Sequence, residues 1–259
     1  MPNQSKNTES SFEEAVEELR EAARAETVSP TEARKRALKL QIFFAGLFIV
    51  SFILATAVRL DSQQYFNLDV TISHAVQSIS LPGFQTLMRI VSIPGNNALR
   101  ATLFVTLSFF MFLILRYRLE AYALALSAGV GELLNMFVKW IVGRPRPTPA
   151  LVQVMVQESS RSFPSGHVMH YMVFYGFLFF LAYTLPKRSL LRTLLLIALG
   201  GLMILVGVSR VYLGAHWPSD VAGAYLIGGT WLTFVIWIYR KWIEGRRDGV
   251  EEPRKRSKL

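Results

Sequence analysis

The residues best suited to chemistry lie in two short polar stretches, 143–163 and 209–220, of a chain that is mostly apolar. Lys139, Arg144, Arg146, Arg161 and Arg210 fall in or beside them, together with His167 and His216. Arginine presents a planar fork of donors that matches the oxygens of a phosphate, so a concentration of cations with few carboxylates points to an oxyanion site. Snorkelling of basic side chains to a membrane interface is the simpler account for one or two cations; five beside two histidines favour a ligand. Pro145 and Pro147 restrict where Arg144 and Arg146 can point. Pro164-Ser165-Gly166-His167 places a hydroxyl and a glycine at the start of an apolar run, where free backbone N–H groups favour an anion and Gly166 admits close approach. Asp220 follows His216 by four across Pro218, which reads as the first turn of a helix. A carboxylate there can hold the proton of one imidazole nitrogen and leave the other free to attack.

Six apolar stretches must position these groups: Leu38–Val58, Ala101–Leu115, Ala121–Val142, Val168–Leu185, Leu191–Val208 and Val221–Tyr239. The chain of 259 residues is 52% hydrophobic and 18% charged, against about 25% charged in soluble domains. Each stretch suits a transmembrane helix of about 20 residues, the second by extending back to Ala98 while Arg100 snorkels. The fold expected is therefore all-α: a polytopic membrane protein with a bundle of six transmembrane helices. The absence of cysteine excludes disulfides, thiolate metal sites and thiol catalysis.

Ahead of the first span, Ser10 and Glu13 have capping-box spacing, and Phe12, Val16, Leu19 and Ala23 follow at helical period. An N-terminal amphipathic helix is expected there, with a second helix start at Ser29-Pro30 and disorder over 1–9 and 248–259. The organisation expected is a cytoplasmic amphipathic region (1–37), a six-span domain (38–240) and a basic cytoplasmic tail (241–259).

The net charge of +10 divides unevenly. With both termini inside, segments 1–40, 116–120, 186–192 and 240–259 carry twenty of the 28 Lys and Arg. That bias places both termini in the cytoplasm and the polar stretches 143–163 and 209–220 on the extracytoplasmic side of a bacterial-type plasma membrane. No exposed basic face with base-reading residues accompanies the charge, so a nucleic-acid partner is not expected.

Lys139-x6-Arg146-Pro147, Pro164-Ser165-Gly166-His167 and Ser209-Arg210-x5-His216-x3-Asp220 together resemble the three signature motifs of the type 2 phosphatidic acid phosphatase superfamily, in its membrane-bound branch. The resemblance covers about residues 38–240. It implies that His216 is a nucleophile forming a phosphohistidine, that Asp220 orients it, and that His167 protonates the leaving oxygen. It implies that Lys139, Arg146 and Arg210, with Ser165 and the Gly166 backbone N–H, hold the phosphoryl oxygens. No metal or other cofactor is implied; fixed cations would do what magnesium does elsewhere. The partner implied is a lipid phosphate in the bilayer: undecaprenyl pyrophosphate, phosphatidylglycerophosphate or phosphatidic acid.

Arg144 and Arg161 either add to this clamp or meet lipid headgroups. Glu132 shares a helix face with Asn135 and Lys139 and is expected to support the bundle near the site, with substrate sensing or proton relay as the alternative. His170 is expected to be structural, His74 interfacial, Asn96 and Asn97 part of a turn, and Tyr212, Trp217 and Trp140 part of an aromatic belt. Rival readings are a phosphotransferase of the same architecture and a non-catalytic lipid-phosphate binder. A vanadium haloperoxidase has a similar anion site, but that branch is soluble.

Overall fold

The structure, a computed structural model, describes residues 30–61, 65–186 and 188–256. It divides into two units, Met1–Ala45 and Gly46–Leu259. Of the first, the described part is the beginning of α1 (Pro30–Leu60). The amphipathic helix expected before Pro30, and the disorder expected over 1–9, lie outside the described residues.

In the second unit α1 ends at Leu60, and α2 (Asn67–Gln77) and α3 (Phe84–Ser92) follow. A 3-10 turn (Ile93–Gly95) leads to α4 (Ala98–Ile114), capped by Asn97, whose side chain accepts from the Leu99 N–H at 2.8 Å. Then come α5 (Arg118–Val142), α6 (Gly166–Thr184), α7 (Leu190–Tyr212) and α8 (Pro218–Arg256). All the regular elements among the described residues are helical.

Among the described residues, four helices are long and apolar enough to cross a membrane: α5, α6, α7 and the Pro218–Gly245 part of α8. α4 joins them if it and Phe84–Gly95, bent by 66°, form one broken span. The apolar stretch Ala45–Leu60 of α1 is shorter. Large apolar side chains such as Phe52, Leu107, Phe137 and Ile204 stand exposed on these helices. In water such surface would cost about 25 cal/mol per Å²; in lipid it is solvated.

The core is built on α6. α5, α7 and α8 each pack against it, around Val168, Phe174, Phe177 and Leu181. The closeness of α5 to α6 requires Gly131, where a Cβ would lie 2.8 Å from a Val173 methyl. One turn beyond His167, α6 widens into a π turn, Tyr171–Tyr175. Such a turn loosens the backbone ladder and is often found beside functional sites. Here the Ser127 hydroxyl of α5 donates to the Val173 carbonyl at 2.6 Å, and the Trp231 indole of α8 donates to the Ser127 carbonyl at 2.9 Å.

One expectation is corrected. Residues 248–256 continue α8 instead of forming a disordered tail, because extending a formed helix adds a backbone hydrogen bond per residue without a new nucleation cost.

Candidate functional site

The polar residues converge at one end of the bundle, where α5 stops and α6 and α8 start. Gly143 ends α5 in the left-handed conformation, φ 69°, which turns the chain so that Arg144 points inward. Segment 144–165 then lies over the ends of the helices. The Ser162 N–H donates to the Arg144 carbonyl at 2.8 Å, and the Ser165 N–H to the Asp220 carbonyl at 3.1 Å. These bonds tie the three sequence motifs together through the backbone.

His216 is 1% exposed and sits in the turn between α7 and α8, its N–H donating to the Arg210 carbonyl at 3.3 Å. Its Nδ1 lies 3.5 Å from both Asp220 Oδ2 and Ser162 Oγ. Ser162 Oγ in turn donates to Asp220 Oδ2 at 2.5 Å. The same carboxylate oxygen accepts the Trp217 N–H at 2.9 Å, satisfying a free donor at the start of α8. The other ring nitrogen, Nε2, is 3.0 Å from Arg146 NH1. Burial above all, and then Arg146, Lys139 and Arg210, hold the His216 imidazole well below the usual histidine range. That favours the neutral imidazole, the form in which a ring nitrogen keeps a lone pair for attack.

His167, in the first turn of α6, joins the same cluster through Arg210 and Glu158. Its Nε2 is 3.0 Å from Asn96 Oδ1 and 3.5 Å from Arg210 NH1. The backbone of 95–96 approaches closely because Gly95 has no Cβ; one there would lie 2.7 Å from His167 Cδ2. The Glu158 carboxylate lies beside His167 and bridges the two arginines. Its Oε2 pairs with Arg146 at 2.7 Å, its Oε1 with Arg210 at 2.5 Å, and Oε1 lies 3.8 Å from His167 Nδ1. Arg210 is fully buried, its NH1 also donating to Ser92 Oγ at 2.9 Å. The buried Ser165 Oγ and Arg210 Nε have no hydrogen-bond partner. Buried polar groups are normally satisfied, so these two donors leave hydrogen-bonding capacity for a further acceptor.

Lys139 donates from Nζ to the Arg161 carbonyl at 2.6 Å and approaches the Ser162 carbonyl at 3.5 Å. Gly166 leaves room beside it, where a Cβ would lie 3.0 Å from Asn135 Nδ2. Arg161 contributes its carbonyl, while its side chain is exposed. Arg144 neither joins the Arg146–Arg210 pair nor reaches outward to headgroups as expected. It is buried, with NH1 2.7 Å from Asp220 Oδ1 and NH2 2.7 Å from Asp69 Oδ2, because two carboxylates from α8 and α2 provide a buried guanidinium with charge partners. Glu132 lies outside the cluster, on an exposed position of α5, where Asn135 Nδ2 approaches its Oε1 at 3.5 Å. Among the described residues no group of three His, Asp or Glu side chains has the arrangement of a metal site.

Two aromatic expectations are corrected. Trp217 and Tyr212 are buried, not interfacial. Trp217 stacks on Tyr65 and lies under the Arg144 guanidinium, and Tyr212 meets Phe84 edge-on; filling space beneath the loops buries more apolar area than an interfacial position would. Trp140 is exposed, and His170 is buried and stacked on Phe174. His74 is held through Nε2 to the Leu151 carbonyl, 2.7 Å away.

Sequence reasoning passed over Glu158, Ser162 and Asp69, and read Asn96 only as a turn residue. Glu158 is the one carboxylate in 143–165, and Asp69 the one in 62–97; each stood out as an acid in otherwise acid-free surroundings. Ser162 sits in a serine-rich run and carried no such signal.

Residues 120–244 match the family model described as the PAP2 superfamily. The chain is 34% identical over 184 residues to phosphatidylglycerophosphatase B of Bacillus subtilis (strain 168), an alignment covering 71% of this chain and 88% of that protein. The chain belongs to the PAP2 superfamily. A crystal structure of a transmembrane PAP2-type phosphatidylglycerolphosphate phosphatase from Bacillus subtilis superposes with a TM-score of 0.64 at 32% identity, covering 76% of this chain and 96% of that one. An undecaprenyl-diphosphatase of Sulfolobus acidocaldarius is 29% identical over 123 residues, 46% of this chain and 55% of that protein. With its apolar helices and this membrane-embedded counterpart, the superfamily member described here is an integral membrane protein.

Proposed function

We propose that this PAP2 protein is a metal-independent lipid phosphatase, hydrolysing a phosphate monoester or pyrophosphate of a membrane lipid on the extracytoplasmic side, with six spans and both termini cytoplasmic. The observation that carries this reading is the small space bounded by His216, His167, Arg146 and Arg210, which contacts of 2.5–3.8 Å link through Glu158. In that space the Glu158 carboxylate stands where phosphoryl oxygens would bind. The named relatives act on phosphatidylglycerophosphate and undecaprenyl diphosphate by their names, and both, with phosphatidic acid, are substrates proposed for this chain.

In the proposed reaction His216 Nε2 attacks phosphorus while Asp220 and Ser162 hold the Nδ1 proton. A P–N bond forms, the P–O bond to the lipid breaks, and His167 gives its proton from Nδ1 to the departing oxygen. His167 then takes a proton from water, whose oxygen attacks the phosphohistidine; the P–N bond breaks and inorganic phosphate leaves. Arg146, Arg210 and Lys139, with Ser165 Oγ and the Gly166 N–H, balance the charge that spreads over the phosphoryl oxygens.

The test is release of inorganic phosphate from a panel of lipid phosphates in detergent with EDTA present, comparing wild type with His216→Ala. Release by wild type and a loss of several orders of magnitude in the variant are expected, since removal of the nucleophile removes the covalent path. Retention of most of the activity by His216→Ala would overturn the assignment, and dependence on a divalent cation would overturn the metal-free route. Phosphate appearing on an added acceptor instead of in solution would favour a phosphotransferase.

A further inference from the structure

Behind Asp220 lies a buried ionic chain whose other two members, Arg144 and Asp69, are not among the signature residues of the three sequence motifs. Asp69, Arg144 and Asp220 are 2%, 3% and 0% exposed and come from α2, the 144–165 segment and α8. Arg144 NH1 donates to Asp220 Oδ1 and to Ser219 Oγ, each at 2.7 Å, and NH2 donates to Asp69 Oδ2 at 2.7 Å. Asp69 also accepts the Ser219 N–H on Oδ1 at 2.8 Å and the Ser219 hydroxyl on Oδ2 at 2.7 Å. The Phe66 N–H reaches Asp69 Oδ2 at 3.3 Å, so the carboxylate also closes the first turn of α2. Phe66 and Trp217 lie against the guanidinium at 5.4 and 5.9 Å.

Burying three charges costs several kcal/mol per ion before their mutual attraction is counted, and apolar residues would hold α2 to α8 without that cost. The geometry points to Asp69 and Arg144 as positioning residues that act through Asp220 on His216. The inference rests on the reading of His216 as nucleophile.

Two physical effects follow from the arrangement. Arg144 takes Asp220 Oδ1, so Oδ2 is the oxygen turned to Ser162, the Trp217 N–H and His216 Nδ1. The carboxylate therefore cannot rotate away when the imidazole becomes cationic on attack. The second effect is charge. A lone Arg144 would neutralise Asp220 and weaken its hold on a developing imidazolium. Asp69 offsets Arg144, so the three groups keep one net negative charge beside His216. Low local dielectric makes that difference count where it would vanish in water.

The experiment measures kcat and KM for phosphatidic acid in detergent micelles, with free phosphate as readout, and inhibition by vanadate. It compares wild type, Asp69→Asn, Asp220→Asn and the double variant. Asp69→Asn is expected to lower kcat by about tenfold or more with KM and vanadate inhibition within about twofold. In the Asp220→Asn background the same change is expected to cost less than about twofold, because its route to His216 is already gone. An unchanged kcat in Asp69→Asn, a rise in KM and loss of vanadate binding in its place, or a full multiplicative loss on top of Asp220→Asn would each overturn the inference. If Asp69→Asn fails to fold, Ser219→Ala decides. It removes the hydroxyl shared by Arg144 and Asp69 but keeps all three charges, and a fall in kcat at constant KM supports the chain while an unchanged kcat refutes it. A wild type that releases no phosphate from any lipid phosphate would instead sink the phosphatase reading itself.

Discussion

Glu158 bridges Arg210 and Arg146: one carboxylate oxygen is 2.5 Å from Arg210 NH2 and the other 2.7 Å from Arg146 NH2. A carboxylate so held competes with any anion for the same two guanidinium groups. Replacing it with the neutral Glu158→Gln leaves the arginines charged and removes the competitor. Inorganic phosphate and vanadate are then expected to inhibit at roughly tenfold lower concentration, since each close charge pair is worth about 1–3 kcal/mol in a partly buried site. Inhibition curves for the two proteins at one pH check this; equal or weaker inhibition of the variant would show that Glu158 does not hold the arginines against anions.

Gly95 lets the chain pass against the His167 ring, and a Cβ there would lie 2.7 Å from His167 Cδ2 and 3.3 Å from Tyr171 Cε2. Both neighbours are buried rings with little room to move. Gly95→Ala is expected to displace His167 and lower kcat by about tenfold, in line with overpacking costs of 1–3 kcal/mol, while the protein still folds. Steady-state kinetics with a melting curve on the same sample separates the two effects.

Ser162 Oγ donates to Asp220 Oδ2 at 2.5 Å and lies 3.5 Å from His216 Nδ1. Ser162→Ala leaves Asp220 with the Trp217 N–H and Arg144 as donors. A loss in kcat of roughly ten- to hundredfold is expected, since a hydrogen bond to a charged group contributes about 1.5–3 kcal/mol. Ser162→Thr, which keeps the hydroxyl, is expected to recover part of the loss. A Thr variant no better than Ala would mean that volume at this position matters and the hydroxyl does not.

The neutral burial of His216 has a consequence for stability. Its imidazole is held well below the ordinary range in the folded protein, whereas in the unfolded chain it titrates at about 6.5. Above that pH neither state binds the proton and the group adds no pH dependence. As pH falls below about 6.5 the unfolded state takes up a proton that the folded state refuses, and stability declines by up to about 1.4 kcal/mol per pH unit. Wild type is therefore expected to lose more melting temperature between pH 7 and pH 5 than His216→Gln does. Parallel curves for the two proteins would contradict a neutral buried His216.

The apolar runs and the three motifs were readable from residue order because they depend on local quantities: hydropathy over about 20 residues, and fixed spacing of Lys139, Arg146, Ser165, His167, Arg210, His216 and Asp220. The helix start at Pro218 was readable in the same way, from a proline in the first turn. Contacts between distant segments were not readable. Arg144 and Arg146 are two residues apart in a Pro-stiffened loop, and nothing local tells that one turns inward to Asp69 and Asp220 while the other meets His216. Asn96 looked like a turn residue and is also the partner of the His167 ring; Trp217 looked interfacial and is buried under Arg144. Residue types and their order determined that this chain is an apolar helical protein with an oxyanion chemistry. Which arginines meet Glu158, which carboxylate lies beside His216, and that Glu158 stands between the arginines were decided by tertiary packing. Burial selects partners for charges by proximity in space, over separations of 52 residues for Glu158–Arg210 and 75 for Asp69–Arg144, where local spacing carries no information.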